Sequence, residues 1–101
     1  MSKVMGHGIK EILADVPGEY VFYLNDGRIL RNMEDLRNAL NNMTEELYSY
    51  HVNSEKNDFS NWVRNVFRDE KLASDLAIAT SKVQAAGYVA TRLTYLFVKV
   101  T

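Results

Sequence analysis

The chain has 101 residues, 47% of them hydrophobic and 25% charged, with a formal net charge of -1 and a pI near 6.1. These values fit one globular domain with a modest core, exclude wholesale disorder and give no global attraction to phosphate backbones or anionic lipid. The absence of cysteine excludes disulfide frameworks, thiolate metal sites and cysteine nucleophiles, and two histidines leave little for an imidazole metal site, so no cofactor is expected.

The opening MSKVMGHGIKEILADVPGEY lacks the apolar core and small-residue cleavage site of a secretory signal, and no run approaches the roughly 20 apolar residues of a membrane span. A cytoplasmic protein without a membrane span is the expectation. Ile9, Ile12, Leu13 and Val16 recur at helical spacing before Pro17 and Gly18, which predicts a helical N-terminal arm over 1–17. In EYVFYLNDGRIL, two runs rich in aromatic and branched residues flank Asn25, Asp26 and Gly27, and Asp-Gly accepts the positive φ of a tight turn. A β-hairpin is predicted there.

Asn32 is placed to cap a helix over 33–43, with Glu34 and Asp35 in its first turn and Met33, Leu36, Leu40 and Met43 on one face. The next run, LYSYHV, alternates Tyr48, Tyr50 and Val52 against Leu47, Ser49 and His51, which predicts a third strand with its tyrosines inward. After a polar loop, Asp58 is the expected cap of a helix whose core face carries Phe59, Trp62, Val63, Val66 and Phe67. Ser60, Asn61, Arg64, Asn65 and Arg68 form its polar back.

Asp69 is the expected cap of the following helix, and Ser81 with Gln84 has capping-box spacing for a separate final one. An apolar ladder from Leu72 through Leu76, Ala79, Val83, Ala86, Ala90, Leu93 and Phe97 to Val100 steps as a heptad seam across both. From Tyr88 onward the segment is apolar nearly all round, and its branched and aromatic residues leave a C-terminal strand as the alternative.

With these elements in place, FYLNDGRILRNMEDLRNAL followed by YSYHVNSEKNDFSNWVRNVFRDEKLA resembles a family of small uncharacterised domains, mainly archaeal, with an HVN-x-x-K-N-D-F-x-N-W-V signature. The resemblance covers about residues 20–73. It implies a compact α+β domain, sometimes appended to others, and no established activity.

The signature stretch gathers reactive side chains. His51 as general base, Asp58 orienting it and Lys56 facing a developing anion would make a catalytic constellation, but no nucleophile elbow or phosphate loop accompanies them. The structural reading gives Asn53 to a turn, Asp58 to a cap and His51 to loop backbone, and it is favoured. Trp62 and its neighbours read as core rather than as a platform for bases. His51, Lys56, Arg64 and Arg68 remain as a candidate polar binding surface.

The expected architecture is therefore α+β: a small antiparallel sheet of hairpin plus third strand, packed with three to four helices, as one domain. Its parts are an arm over 1–17, a core over 18–80 and a long apolar C-terminal helix over 81–101. The leading expectation is a non-enzymatic interaction module. It would form a homo-oligomer, or dock on a protein partner, through Val89, Leu93, Leu96, Phe97 and Val100. The alternatives are a nucleic-acid-associated factor using Lys56, Arg64, Arg68, Arg28 and Arg31, and a small enzyme or ligand-binding domain around His51 and Asp58.

Overall fold

The structure, a computed structural model, describes residues 9–100, and of Glu11 and Val100 the backbone only. Residues 1–8 of the expected arm, the side chain of Val100 and residue 101 thus lie outside the described residues. The architecture is α+β, with one two-stranded antiparallel sheet and a long C-terminal helix. No helix is long and apolar enough to cross a membrane among the described residues.

A short helix α1, Ile9–Leu13, buries Ile12 and packs on the final helix. The Val16 N–H then donates to the Arg31 carbonyl at 2.8 Å, tying the entering segment to the hairpin, and Pro17 opens a 3-10 turn, Gly18–Tyr20. Strands β1, Phe22–Tyr23, and β2, Ile29–Leu30, pair with Phe22 opposite Leu30 and Tyr23 opposite Ile29. Their loop takes its positive φ, 97°, at Gly27, where the absent side chain removes the steric penalty. Asp26 Oδ1 accepts the Arg28 N–H and closes the turn.

Helix α2, Met33–Asn42, is capped as its sequence predicts: Asn32 Oδ1 accepts the Asp35 N–H at 2.7 Å. Its stripe of Met33, Leu36, Ala39 and Leu40 is buried, chiefly against the C-terminal helix.

The expected third strand is a helix. Residues Glu45–His51 form α3, capped by Thr44, whose Oγ1 accepts the Leu47 N–H at 3.0 Å. The acidic pair Glu45 and Glu46 sits in the positively polarised first turn, so the cap and the dipole override an alternation only six residues long. The tyrosines accordingly do not share a face. Tyr48 is 8% exposed and Tyr50 51%.

Helix α4, Asp58–Trp62, runs directly into a π-helical turn, Val63–Phe67, which ends at Arg68 in the left-handed region at φ 61°. Its cap is Asn57 rather than Asp58: Asn57 Oδ1 accepts the Ser60 N–H, and its Nδ2 donates to the Leu76 carbonyl. Ser60, expected on the polar back, is buried and donates its hydroxyl to the Ala73 carbonyl at 2.8 Å. Helix α5, Glu70–Ile78, is capped by Asp69 as expected, through the Leu72 N–H.

Helix α6, Lys82–Val100, is a separate helix, which decides between helix and strand for the C-terminal segment. Ala79 is extended at ψ 136°, Ser81 Oγ accepts the Gln84 N–H, and Gln84 Oε1 accepts from Thr80. That break ends the heptad seam. Val83 is 73% exposed, whereas Ala85, Ala86, Val89, Leu93 and Leu96 form the face of α6 covered by α2, α5 and α1. Full burial of each larger side chain on that face contributes about 2 kcal/mol.

Candidate functional site

The segment HVNSEKND is a tight connection between α3 and α4. Val52 bridges Asn57, and the Asn53 N–H donates to the Lys56 carbonyl at 2.9 Å. Asn53 Nδ2 donates back to the Ser49 and Tyr50 carbonyls, covering the open end of α3, while its Oδ1 accepts the Glu55 N–H. This closure places His51, Lys56 and Asp58 side by side.

His51 is buried and both of its ring nitrogens are used. Nε2 accepts the Asn25 N–H at 3.1 Å from the hairpin loop, which leaves the ring proton on Nδ1 to donate to Asp58 Oδ2 at 3.0 Å. The ring lies among Phe22, Tyr50 and Phe59, with centroids 5.0 to 5.3 Å away. A general base needs a nitrogen open to substrate, and here the imidazole instead clamps the hairpin loop to the start of α4.

Asp58 Oδ2 also accepts from Lys56 Nζ at 2.9 Å, and the same ammonium lies 4.7 Å from the centre of the Tyr50 ring. Partial burial pushes the Asp58 carboxyl upward, but the hydrogen bonds from Lys56 and His51 and the charge of the Lys56 ammonium outweigh it, so it is held below its ordinary range. The bond to Asp58 in turn raises Lys56 above its ordinary value.

Arg64 and Arg68 do not join this cluster. Arg64 donates to Glu70 at 3.2 Å, and Arg68 makes no ion pair among the described residues. The candidate polar surface thus divides into a His51–Lys56–Asp58 group and two separate arginines on the far end of the helix. The buried face is as expected: Phe59, Trp62, Val63 and Phe67 are core, and Trp62 Nε1 donates to the Tyr20 carbonyl at 2.7 Å.

Beside the cluster lies an open groove of about 440 Å³ between β1 and α4, lined by Val21, Phe22, Tyr23, His51, Asp58, Asn61, Trp62, Asn65 and Val66. Asn61 and Asn65 are exposed, stand one turn apart and make no side-chain hydrogen bond among the described residues. Their sequence signal is that asparagine is a poor helix former, so two of them four apart in one helix lack a local reason. No group of three or more potential metal ligands occurs among the described residues.

Of the expected interaction residues on α6, Val89, Leu93 and Leu96 are covered by the chain itself. Phe97 is 43% exposed, and beside it Tyr95 is 49% and Val98 68% exposed. The Tyr95 ring has Arg92 and Lys99 on it, at 5.2 and 5.4 Å from its centre.

A further polar contact, not apparent from sequence, holds α6 in place. Arg92 donates through Nε and a terminal nitrogen to both oxygens of Asp69, at 2.9 and 3.0 Å, and the Asp69 side chain is 1% exposed. An arginine in an apolar helix was the available sign, but its partner lies 23 residues away and is occupied locally as a cap.

The chain matches no protein-family model, no curated protein and no solved structure. Function is therefore argued from this geometry.

Proposed function

We propose that this chain is a non-enzymatic interaction module that associates with a second copy or a protein partner through the exposed end of α6. The observation that carries the reading is the exposure of three large side chains near the end of α6: Phe97, at the margin of the covered Leu93 face, and Tyr95 and Val98 on the side away from it. Large apolar side chains left in solvent can mark contact surfaces, and aromatic residues are favoured in them. Val89, Leu93 and Leu96 already serve the core, so the proposal rests on Phe97 with Tyr95 and Val98, the Val100 side chain lying outside the described residues.

A nucleic-acid role has less support. Lys56, Arg64 and Arg28 are each neutralised by a carboxylate of the chain, leaving Arg31 and Arg68 without an ion pair among the described residues. A catalytic role for His51 lacks an open ring nitrogen.

Sedimentation velocity over a range of concentrations tests the proposal. The wild-type chain is expected to self-associate, or to bind a partner, and Phe97→Glu to abolish the association while retaining the helical circular-dichroism spectrum. A wild-type chain that sediments as a monomer at every concentration, with Phe97→Glu indistinguishable from it in every binding assay, would overturn it.

A further inference from the structure

The groove between β1 and α4 presents unused hydrogen-bonding groups on both walls. Val21 and both residues of β1, Phe22 and Tyr23, line it, and none from β2. The Leu24 N–H donates to the Arg28 carbonyl, so alternation along the antiparallel ladder turns the N–H and C=O of Tyr23 away from β2. No backbone bond of the turns and loops uses them among the described residues.

The opposite wall carries the Asn61 and Asn65 carboxamides, each a donor and an acceptor. Four residues apart on a helix they are roughly 6 Å from one another, close to the roughly 6.6 Å between alternate residues of an extended chain. Asn65 belongs to the π-helical turn, a distortion that costs regular helical bonding and often accompanies a binding surface. Asp58 supplies an open acceptor oxygen beside its ion pair with Lys56. Its Oδ2 is taken by His51 and Lys56, but its Oδ1 accepts no hydrogen bond among the described residues, and the carboxyl is held ionised.

We infer that this groove takes an extended segment of a partner protein as an added strand on β1, with a lysine or arginine of that segment reaching Asp58. Alternate amides of the segment face Tyr23 on one side and Asn61 and Asn65 on the other. The breadth and openness of the groove suit a polypeptide laid along it rather than an enclosed small molecule. This surface is separate from α6, none of whose residues line it.

A display library of random decapeptides selected on the full chain supplies the probe. Enriched peptides are expected to carry a basic residue, to shift the amide resonance of Tyr23 and the side-chain amides of Asn61 and Asn65, and to lose binding when alternate amides are N-methylated. Asn61→Ala/Asn65→Ala removes groups with no structural partner and is expected to weaken binding about tenfold, the effect of two modest hydrogen bonds. Phe97→Glu is expected to leave the affinity unchanged, which separates this site from the α6 surface. Failure to enrich any peptide, enriched peptides insensitive to the double substitution or to N-methylation, or affinity lost with Phe97→Glu would each overturn the inference.

Discussion

The α3–α4 connection and the end of α6 invert each other. In the connection, polar and ionisable side chains are engaged by the chain itself: His51 is 4% exposed and spans from the Asn25 amide to Asp58, and Asn53 and Asn57 close helix ends. At the end of α6, aromatic and branched residues are turned outward. Reactive side chains clustered in sequence thus make a scaffold in one region, whereas in the other the apolar excess left after the core is complete makes a candidate contact surface. The difference teaches that a side chain's partners, rather than its reactivity, decide whether it remains free to act on anything outside the chain.

The covered side of α6 gives the largest expected effect. Arg92→Ala leaves the Asp69 carboxylate buried with only the Leu72 N–H from its present partners, and removing one member of a buried pair typically costs about 3 to 5 kcal/mol. Urea unfolding is expected to show that loss. A loss well under about 1 kcal/mol, as for a solvated surface pair, would mean that α6 is held by its apolar face alone and that its end is free to be placed by a partner.

The hairpin, the caps of α2 and α5 and the core face of α4 were legible because each is written within a few residues: a turn between extended runs, a capping side chain followed by a stripe. The α3 segment was misread because LYSYHV satisfies both periods, and the deciding signal, Thr44 before two glutamates, lies just outside it. Asp58 was misread as a cap because asparagine and aspartate are equally good caps and adjacent; what sets them apart is Asn57 Nδ2 donating to the Leu76 carbonyl and Asp58 being taken by His51 and Lys56, both contacts from distant or folded-back chain. The apolar ladder suggested one seam through Val83, and a local break at Ala79 rotates α6 onto Val89 and Leu96 instead. The groove was not legible, because its walls come from β1 and α4, which nothing local in sequence brings together.

His51→Ala is the corresponding test of the connection, with a smaller effect. It removes a buried ring from among Phe22, Tyr50 and Phe59 and leaves the Asn25 amide without its acceptor, for a loss of about 3 kcal/mol in thermal or urea unfolding. Amide exchange is expected to speed at Asn25 and at the start of α4 together, because one ring joins them. Exchange rising at only one of the two would show that the imidazole packs there without clamping.

The smallest effect concerns pH. With its carboxyl held below the ordinary range, Asp58 binds fewer protons in the folded chain than in the unfolded one at acid pH. Its contribution is complete above the unfolded value of about 3.9 and is lost as the pH falls through the lower folded value. Lys56 is raised, so its contribution is complete below the unfolded value of about 10.4 and is lost as the pH rises through the folded one. Lys56→Met should therefore be less stable than wild type between about pH 5 and pH 9 and converge with it as the pH falls through the lowered folded value of Asp58. Urea midpoints across that range decide the matter. A difference that stays the same size from about pH 7 down through the acid limb would assign the effect of Lys56 to its place over the Tyr50 ring, an attraction that does not titrate with Asp58. The connection would then be held by packing and caps, with its one ion pair free to exchange Lys56 for a cation brought by a bound peptide.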